Sequence, residues 1–175
     1  MISPFGAIAH RGAGAAFRES RSEYEIHLAY CEAAGHTENE LPYGNTAALN
    51  EHAATLHYQH QDRARPLDHH SLLIDAGAQF NGYAADITRT FGHGNPLYTE
   101  MLESLNQEQL ALCAQVRPGL DWKALHLDSH RAVGRVLQKL GIVRMDPESQ
   151  LETGVSSVFL PHGIAEVGNW AGLPL

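Results

Sequence analysis

The chain has 175 residues, 43% of them hydrophobic, which is enough to bury one sizeable core. Twelve basic against twenty acidic residues give a formal net charge of −8, and no long basic run appears, which argues against a nucleic-acid partner or an anionic membrane surface. No apolar run approaches the ~20 residues of a membrane span, and the first residues lack the basic and apolar regions of a signal peptide, so a cytoplasmic location is expected.

Ile2 to Phe17 is alanine-rich and helical in character, weakened by Gly6, Gly12 and Gly14, each costing up to ~1 kcal/mol against alanine. Ser22-Glu23-Tyr24-Glu25 has the pattern of a capping box and predicts an amphipathic helix running to about Ala34. Gly35 to Glu40 reads as a polar linker and Leu41 to Asn45 as a turn. Within that turn Tyr43 is either a core aromatic or a pocket wall. Alternation over Ala53 to Tyr58 predicts a strand, with His57 on the face away from Leu56. Gln59 to His70 is a polar loop containing Pro66.

Ser71 to Phe91 reads as two strands and a tight turn. Leu72 to Ile74 is a short apolar run, and Ile87, Thr88, Thr90 and Phe91 favour a second strand. Gly77 and Asn81-Gly82 supply turn chemistry. A loop at Phe80-Asn81 sets Asp75 directly opposite Asp86. A loop at Asn81-Gly82 sets Asp75 against Thr88, with Asp86 the diagonal neighbour on the same face. Either register brings the two carboxylates together, where they repel unless one is protonated or a cation lies between them. Carboxylates are hard ligands suited to Mn, Mg, Ca or Zn, and a pair of such ions ~3.5–4 Å apart shares bridging carboxylates. The alternative is two solvated carboxylates at a strand end and a turn.

Asn95-Pro96 predicts a helix start, with Leu97, Met101, Leu102, Leu105, Leu112 and Val116 as a core stripe. Asp121 caps the next helix, whose apolar face comprises Trp122, Leu125, Ala132, Val133, Val136, Leu137 and Leu140, and Gly141 stops it. His126 and His130 are an i, i+4 pair without an intervening HExxH glutamate, and read as surface or supporting residues. Asp146-Pro147-Glu148 opens a turn or short helix, and Val155 to Leu160 reads as a buried strand leading into Pro161-His162-Gly163. Cys31 and Cys113 lie outside any metal-type spacing and read as reduced thiols, one bridge between them being the alternative.

Asp75-Ala-Gly77 followed by Asp86-Ile-Thr-Arg-Thr90, with Asp86 eleven residues after Asp75, resembles the first metal motif of the pita-bread metallopeptidases (family M24). Within that family the resemblance is closest to the bacterial prolidases, the Xaa-Pro dipeptidases. It is carried also by Pro42-Tyr43-Gly44-Asn45, Ala48-Leu49-Asn50-Glu51, Leu56-His57-Tyr58, His126-Leu127-Asp128 and Phe159-Leu160-Pro161-His162-Gly163, and runs from about Ala7 to Gly163.

The resemblance implies an α/β (in stricter terms α+β) fold: an incomplete pita-bread domain over residues 1–163, helices on a mixed, mainly antiparallel sheet, with residues 164–175 as a tail unlike the family. It implies hydrolysis of dipeptides with a C-terminal proline, using two divalent ions, Mn foremost and Co or Zn as alternatives. Asp75 and Asp86 take the metal-ligand positions. His57, eighteen residues before Asp75, and His162 take catalytic positions, with His57 and Tyr43 against substrate.

The pattern breaks after Gly163. Glu166 stands where the family has a ligating histidine, and the two ligating glutamates that follow in the family are not matched. The chain therefore looks truncated at both ends, with a tail that reads as out of frame or rearranged. The expectation is at most one weakly held ion and absent or very low activity. A homo-oligomer is left open, as are two other roles: a non-enzymatic pita-bread binding module and an Xaa-Pro aminopeptidase.

Overall fold

An alanine-rich helix, α1 (Pro4–Arg18), opens the first of two units in the computed structural model, which describes residues 4–160; the first unit runs to Asn95 and the second begins at Pro96. Its small side chains let it lie close against α2 (Glu23–Ala34), and Ala9, Ala13, Ala16 and Phe17 share a core with Ile26, Tyr30 and Ala34. The expected capping box starts α2: Ser22 N–H donates to Glu25 Oε2 at 2.8 Å, and Glu25 N–H to Ser22 Oγ at 3.3 Å. Gly35, in the left-handed region at φ 68°, ends it.

Three antiparallel strands carry the other side of that core in the order β1 (Thr46–Leu49), β2 (Ser71–Ala76), β5 (Ile87–Gly92). Leu72, Ile74 and Ala76 alternate into the core, so Ser71, Leu73 and Asp75 face the other way. A two-stranded tip, β3 (Gln79–Phe80) and β4 (Tyr83–Ala84), completes the hairpin. Its loop is Asn81-Gly82, both at positive φ (52° and 80°), as a tight primed turn requires. Of the two registers open in the sequence, the structure takes the second, with Asp75 opposite Thr88.

The strand expected over Ala53 to Tyr58 does not form. The strand lies earlier, at Thr46–Leu49, and Asn50 (φ 51°) turns the chain into a single 3₁₀ turn, Asn50–Ala54. Alternation misled because a four-residue strand buried on both faces shows none. Asn50 ties this turn to the loop's return, donating to Asp68 O at 2.7 Å and accepting from His70 N–H at 2.8 Å.

The second unit is helical over its described residues: α3 (Pro96–Cys113), α4 (Trp122–Lys139), α5 (Pro147–Glu152) and α6 (Val155–Phe159). Asp121 caps α4 through Lys123 N–H, and Asp146 caps α5, as expected. The α3 stripe is not core. Leu97 and Val116 are exposed and the residues between them half-buried, because α3 meets α4 partly through polar pairs, Glu108 with Arg135 and Ser104 with Lys139. Trp122 is also exposed.

Val155–Phe159 is a helical turn, not a strand. Gly154 (φ 76°) sets its start, Ser156 is buried against His130, and Val158 faces outward. His130 is correspondingly buried, its Nδ1 3.1 Å from Ser156 Oγ and its ring edge-on to the half-buried His126, so of the two readings of that pair His130 does not take the surface one. Among the described residues no helix is long and apolar enough to cross a membrane.

Candidate functional site

The hairpin register sets the two carboxylates as diagonal neighbours on the sheet face away from the helices. Tyr43, from the turn before β1, lies across them. Its hydroxyl oxygen is 2.6 Å from Asp86 Oδ1 and 3.0 Å from Asp75 Oδ1. Tyr43 reaches this position because Gly77 has no side chain. A Cβ there would stand 2.7 Å from Tyr43 Cε1, 2.6 Å from Pro42 Cγ and 2.5 Å from Ala85 O. The Asp-Ala-Gly spacing thus couples a carboxylate to the space its neighbour needs.

One hydroxyl carries one proton and can donate to only one of these carboxylates at a time. Among the described residues no basic side chain forms an ion pair with either Asp75 or Asp86. Burial, and then the charge of Asp86, push the Asp75 carboxyl above its usual range. Burial, the hydrogen bond to Asp86 and the charges of both aspartates push the Tyr43 phenol well above its usual value, so it stays a donor. Among the described residues the pair is therefore an acidic site without a paired cation, built from hard oxygen donors, and it fits a divalent cation. Among the described residues no group of three or more potential ligands gathers, so the aspartates supply two oxygen-donor side chains and no third.

His57 lies on an exposed turn with left-handed backbone (φ 53°), not on a strand. His162, Gly163 and Glu166 lie outside the described residues. Two residues that carry the site's frame were not singled out from the sequence as functional. His10 of α1 is buried with its ring nitrogens 2.7 Å from Gly6 O and 2.8 Å from Ile87 O, which fixes the backbone next to Asp86; burial holds its pKa below the usual value. Glu23, 2% exposed, accepts from Leu49 N–H, His52 Nδ1 and Tyr58 O–H at 2.8 Å and from Asp62 N–H at 2.7 Å. It ties the loop that bears His57 to the start of α2. A further histidine, His36, holds the hairpin tip, with Nδ1 2.9 Å from Ala34 O and Nε2 2.9 Å from Gln79 O.

A paired-aspartate hairpin on this sheet, backed by two helices, is the arrangement this chain shares with metallopeptidases of the pita-bread fold. The chain belongs to metallopeptidase family M24, whose model matches residues 5–167. Over 163 residues it is 49% identical to an Xaa-Pro dipeptidase of Stenotrophomonas maltophilia (strain K279a), covering 93% of this chain and 37% of that protein. Over 159 residues it is 46% identical to an Xaa-Pro dipeptidase of Xanthomonas campestris pv. campestris (strain 8004), covering 90% and 36%. The chain thus spans little more than a third of the length of these relatives.

Solved structures share the fold. Zinc-substituted Escherichia coli aminopeptidase P in complex with product superposes with a TM-score of 0.74 at 25% identity, over 88% of this chain and 36% of that one. Pseudomonas aeruginosa aminopeptidase PepP gives 0.72 at 25% identity, over 88% and 37%.

Proposed function

We propose that this chain carries the aspartate part of a dinuclear metal site in a dipeptidase acting on Xaa-Pro dipeptides. The observation that carries the reading is the sharing of one Tyr43 hydroxyl by Asp75 and Asp86, with no basic ion-pair partner among the described residues. The name Xaa-Pro dipeptidase on relatives at 49% and 46% identity favours that substrate over the longer Xaa-Pro peptides of an aminopeptidase, since the aminopeptidase P structures match at 25%.

In this reading residues 1–163 belong to the catalytic domain, and Asp75 and Asp86 hold a divalent cation, Mn foremost. Such ions, when bound, lower the pKa of water and polarise the scissile carbonyl. Asp75 and Asp86 set the ligand spacing through the hairpin register. Tyr43 orients both carboxylates and forms one wall of the substrate space. His57 and His162 serve the substrate and the charge that develops on its carbonyl oxygen. Two cysteines, Cys31 and Cys113, outside any metal-type spacing go with the reading of a reducing, cytoplasmic setting.

Two aspartates hold one ion weakly, so the 175-residue polypeptide is expected to hydrolyse Xaa-Pro dipeptides very slowly if at all. Calorimetric titration with Mn²⁺, beside Asp75→Asn, tests the site. Saturable binding lost in the variant supports the reading, and identical traces for both proteins overturn it. A Mn²⁺-dependent hydrolysis rate well above that of Asp86→Ala would overturn the expectation of weak activity while leaving the site intact.

A further inference from the structure

At the other end of the same hairpin, where Ser71 pairs with Gly92, the first unit contains a cleft of about 410 Å³. Along β2 it lies roughly 13 Å from Asp75, four residues at about 3.3 Å each. Buried Phe17 and half-buried Phe91 supply its apolar lining, and Arg18, Ser20, His69 and His93 its polar lining. That volume is in the range of small-molecule sites, roughly 300–1,000 Å³.

The walls are fixed. The Phe91 ring lies close against α1 because residue 14 is glycine: a Cβ there would stand 2.8 Å from Phe91 Cε1 and 2.9 Å from its Cζ. The His69 ring is tilted 50° against Phe17 at 6.1 Å and held by a hydrogen bond to Arg21 O at 3.1 Å. The charge, in contrast, has the carbonyl end of α1 beside it but no paired carboxylate among the described residues. Glu19, next to Arg18 in sequence, pairs with Arg21 at 2.6 Å, and none of the described carboxylates pairs with Arg18. No described group hydrogen-bonds the His93 ring, whose backbone N–H is engaged by His70 O. In a chain of net charge −8, an arginine that no described carboxylate pairs with, lining one cleft with Phe91, is a place for an outside anion.

We propose that this cleft binds a small carboxylate carried on a planar apolar body. The guanidinium is permanently charged, and its planar fork matches a carboxylate with two parallel hydrogen bonds. Half-buried Phe91 gives an aromatic or similarly flat body the offset or edge contact that rings prefer, over a floor formed by the buried Phe17. An inorganic anion would satisfy Arg18 but leave those walls uncovered. A neutral ring would cover the walls but leave Arg18 unpaired. The site uses neither Asp75 nor Asp86.

The test is ligand-observed NMR on the 175-residue chain with 3-phenylpropionate, against its neutral amide and against acetate. The expected result is a Kd at or below about 1 mM for 3-phenylpropionate. Binding of the amide, of acetate, and of 3-phenylpropionate to Arg18→Gln should each be weaker by roughly tenfold or more, as expected where a bidentate carboxylate–guanidinium contact and ring contact act together. Arg18 is exposed, so its loss leaves the fold in place, which circular dichroism checks. Independently, the imidazole proton signals of His69 and His93 should shift on titration while those of His130 stay. Equal binding of acid and amide overturns the proposal. So does unchanged binding to Arg18→Gln, no binding at about 10 mM, or loss of binding in Asp75→Asn with Arg18→Gln unaffected.

Discussion

Replacing Glu23 with alanine removes a carboxylate that is 2% exposed and receives four hydrogen bonds. Hydrogen bonds to charged groups contribute ~1.5–3 kcal/mol each, but they do not add, because the carboxylate also gives up its hydration on burial. The donors fare differently once it is gone. His52, Tyr58 and Asp62 are only half-buried and regain water, whereas Leu49 N–H lies on a buried strand and stays unpaired. One orphaned donor at ~1–3 kcal/mol, plus the net value of the other contacts, gives a loss of about 3–4 kcal/mol. That is a large part of the ~5–15 kcal/mol that holds a domain folded. Glu23→Gln keeps one acceptor oxygen and presents an amide N–H₂ to the donors on the other, so about half the loss is expected. Urea unfolding followed by circular dichroism measures both, and hydrogen exchange should quicken over residues 50–66 before it does in β2. A loss below about 1 kcal/mol for the alanine variant, or equal losses for the two, would refute the reasoning.

Four further outcomes follow. Tyr43→Phe should lower the stability of the metal-free chain by about 1–2 kcal/mol and increase the gain in Tm on adding Mn²⁺, because the hydroxyl and the cation serve the same oxygens. Gly77→Ala should abolish Mn²⁺ binding, since its Cβ would displace Tyr43 or the Ala85 carbonyl; unchanged calorimetry would show that the hairpin yields instead. His10 has a folded pKa below its ordinary 6.5, so the unfolded chain binds more protons and His10's contribution is lost as pH falls below about 6.5; His10→Gln should reduce the drop in urea midpoint between pH 7 and pH 5. Asp75, raised above its ordinary 3.8, works the other way, its ionisation destabilising the metal-free fold as pH rises; Asp75→Asn should remove that slope.

The hairpin was legible because its chemistry is local. Asn81-Gly82 selects a primed turn, the turn sets the register, and the register places Asp75 beside Asp86, so a few side chains encode a long-range geometry. The capping box at Ser22 and the helix stop at Gly141 were legible for the same reason, whereas the capping box at Thr37 lies in a stretch read as linker. Glu23 shows the limit: at a helix start it reads as an ordinary acidic residue favoured by the helix dipole, and nothing local says that Leu49, Tyr58 and Asp62 will converge on it. Residues 53–58 failed because alternation reports half-buried strands, while Thr46–Leu49 is covered on both faces and the following segment is held by Glu23 and Asn50 instead of by a ladder. Val155–Phe159 failed because a five-residue apolar run does not distinguish strand from helix, and Gly154 and the contact of Ser156 with His130 decided it. Tyr43 was open between core and pocket, and it is neither alone: its ring packs and its hydroxyl serves the carboxylates.

Because Asp75 and Asp86 are joined through a turn only two residues long, the distance between the carboxylates is a matter of counting. Exchanging side chains at Phe80 or Tyr83, both exposed, leaves the count unchanged. A single added residue must be taken up in the turn as a longer, bulged loop; if it slips the register instead, Asp86 passes through the sheet to the helix side, however conservative the residue added. Adding two would restore the side but carry Asp86 along its strand by about 6.6 Å, beyond the reach of the Tyr43 hydroxyl. In this segment sequence drift is cheap and length drift is not, so the spacing of eleven behaves as a ruler cut into the gene.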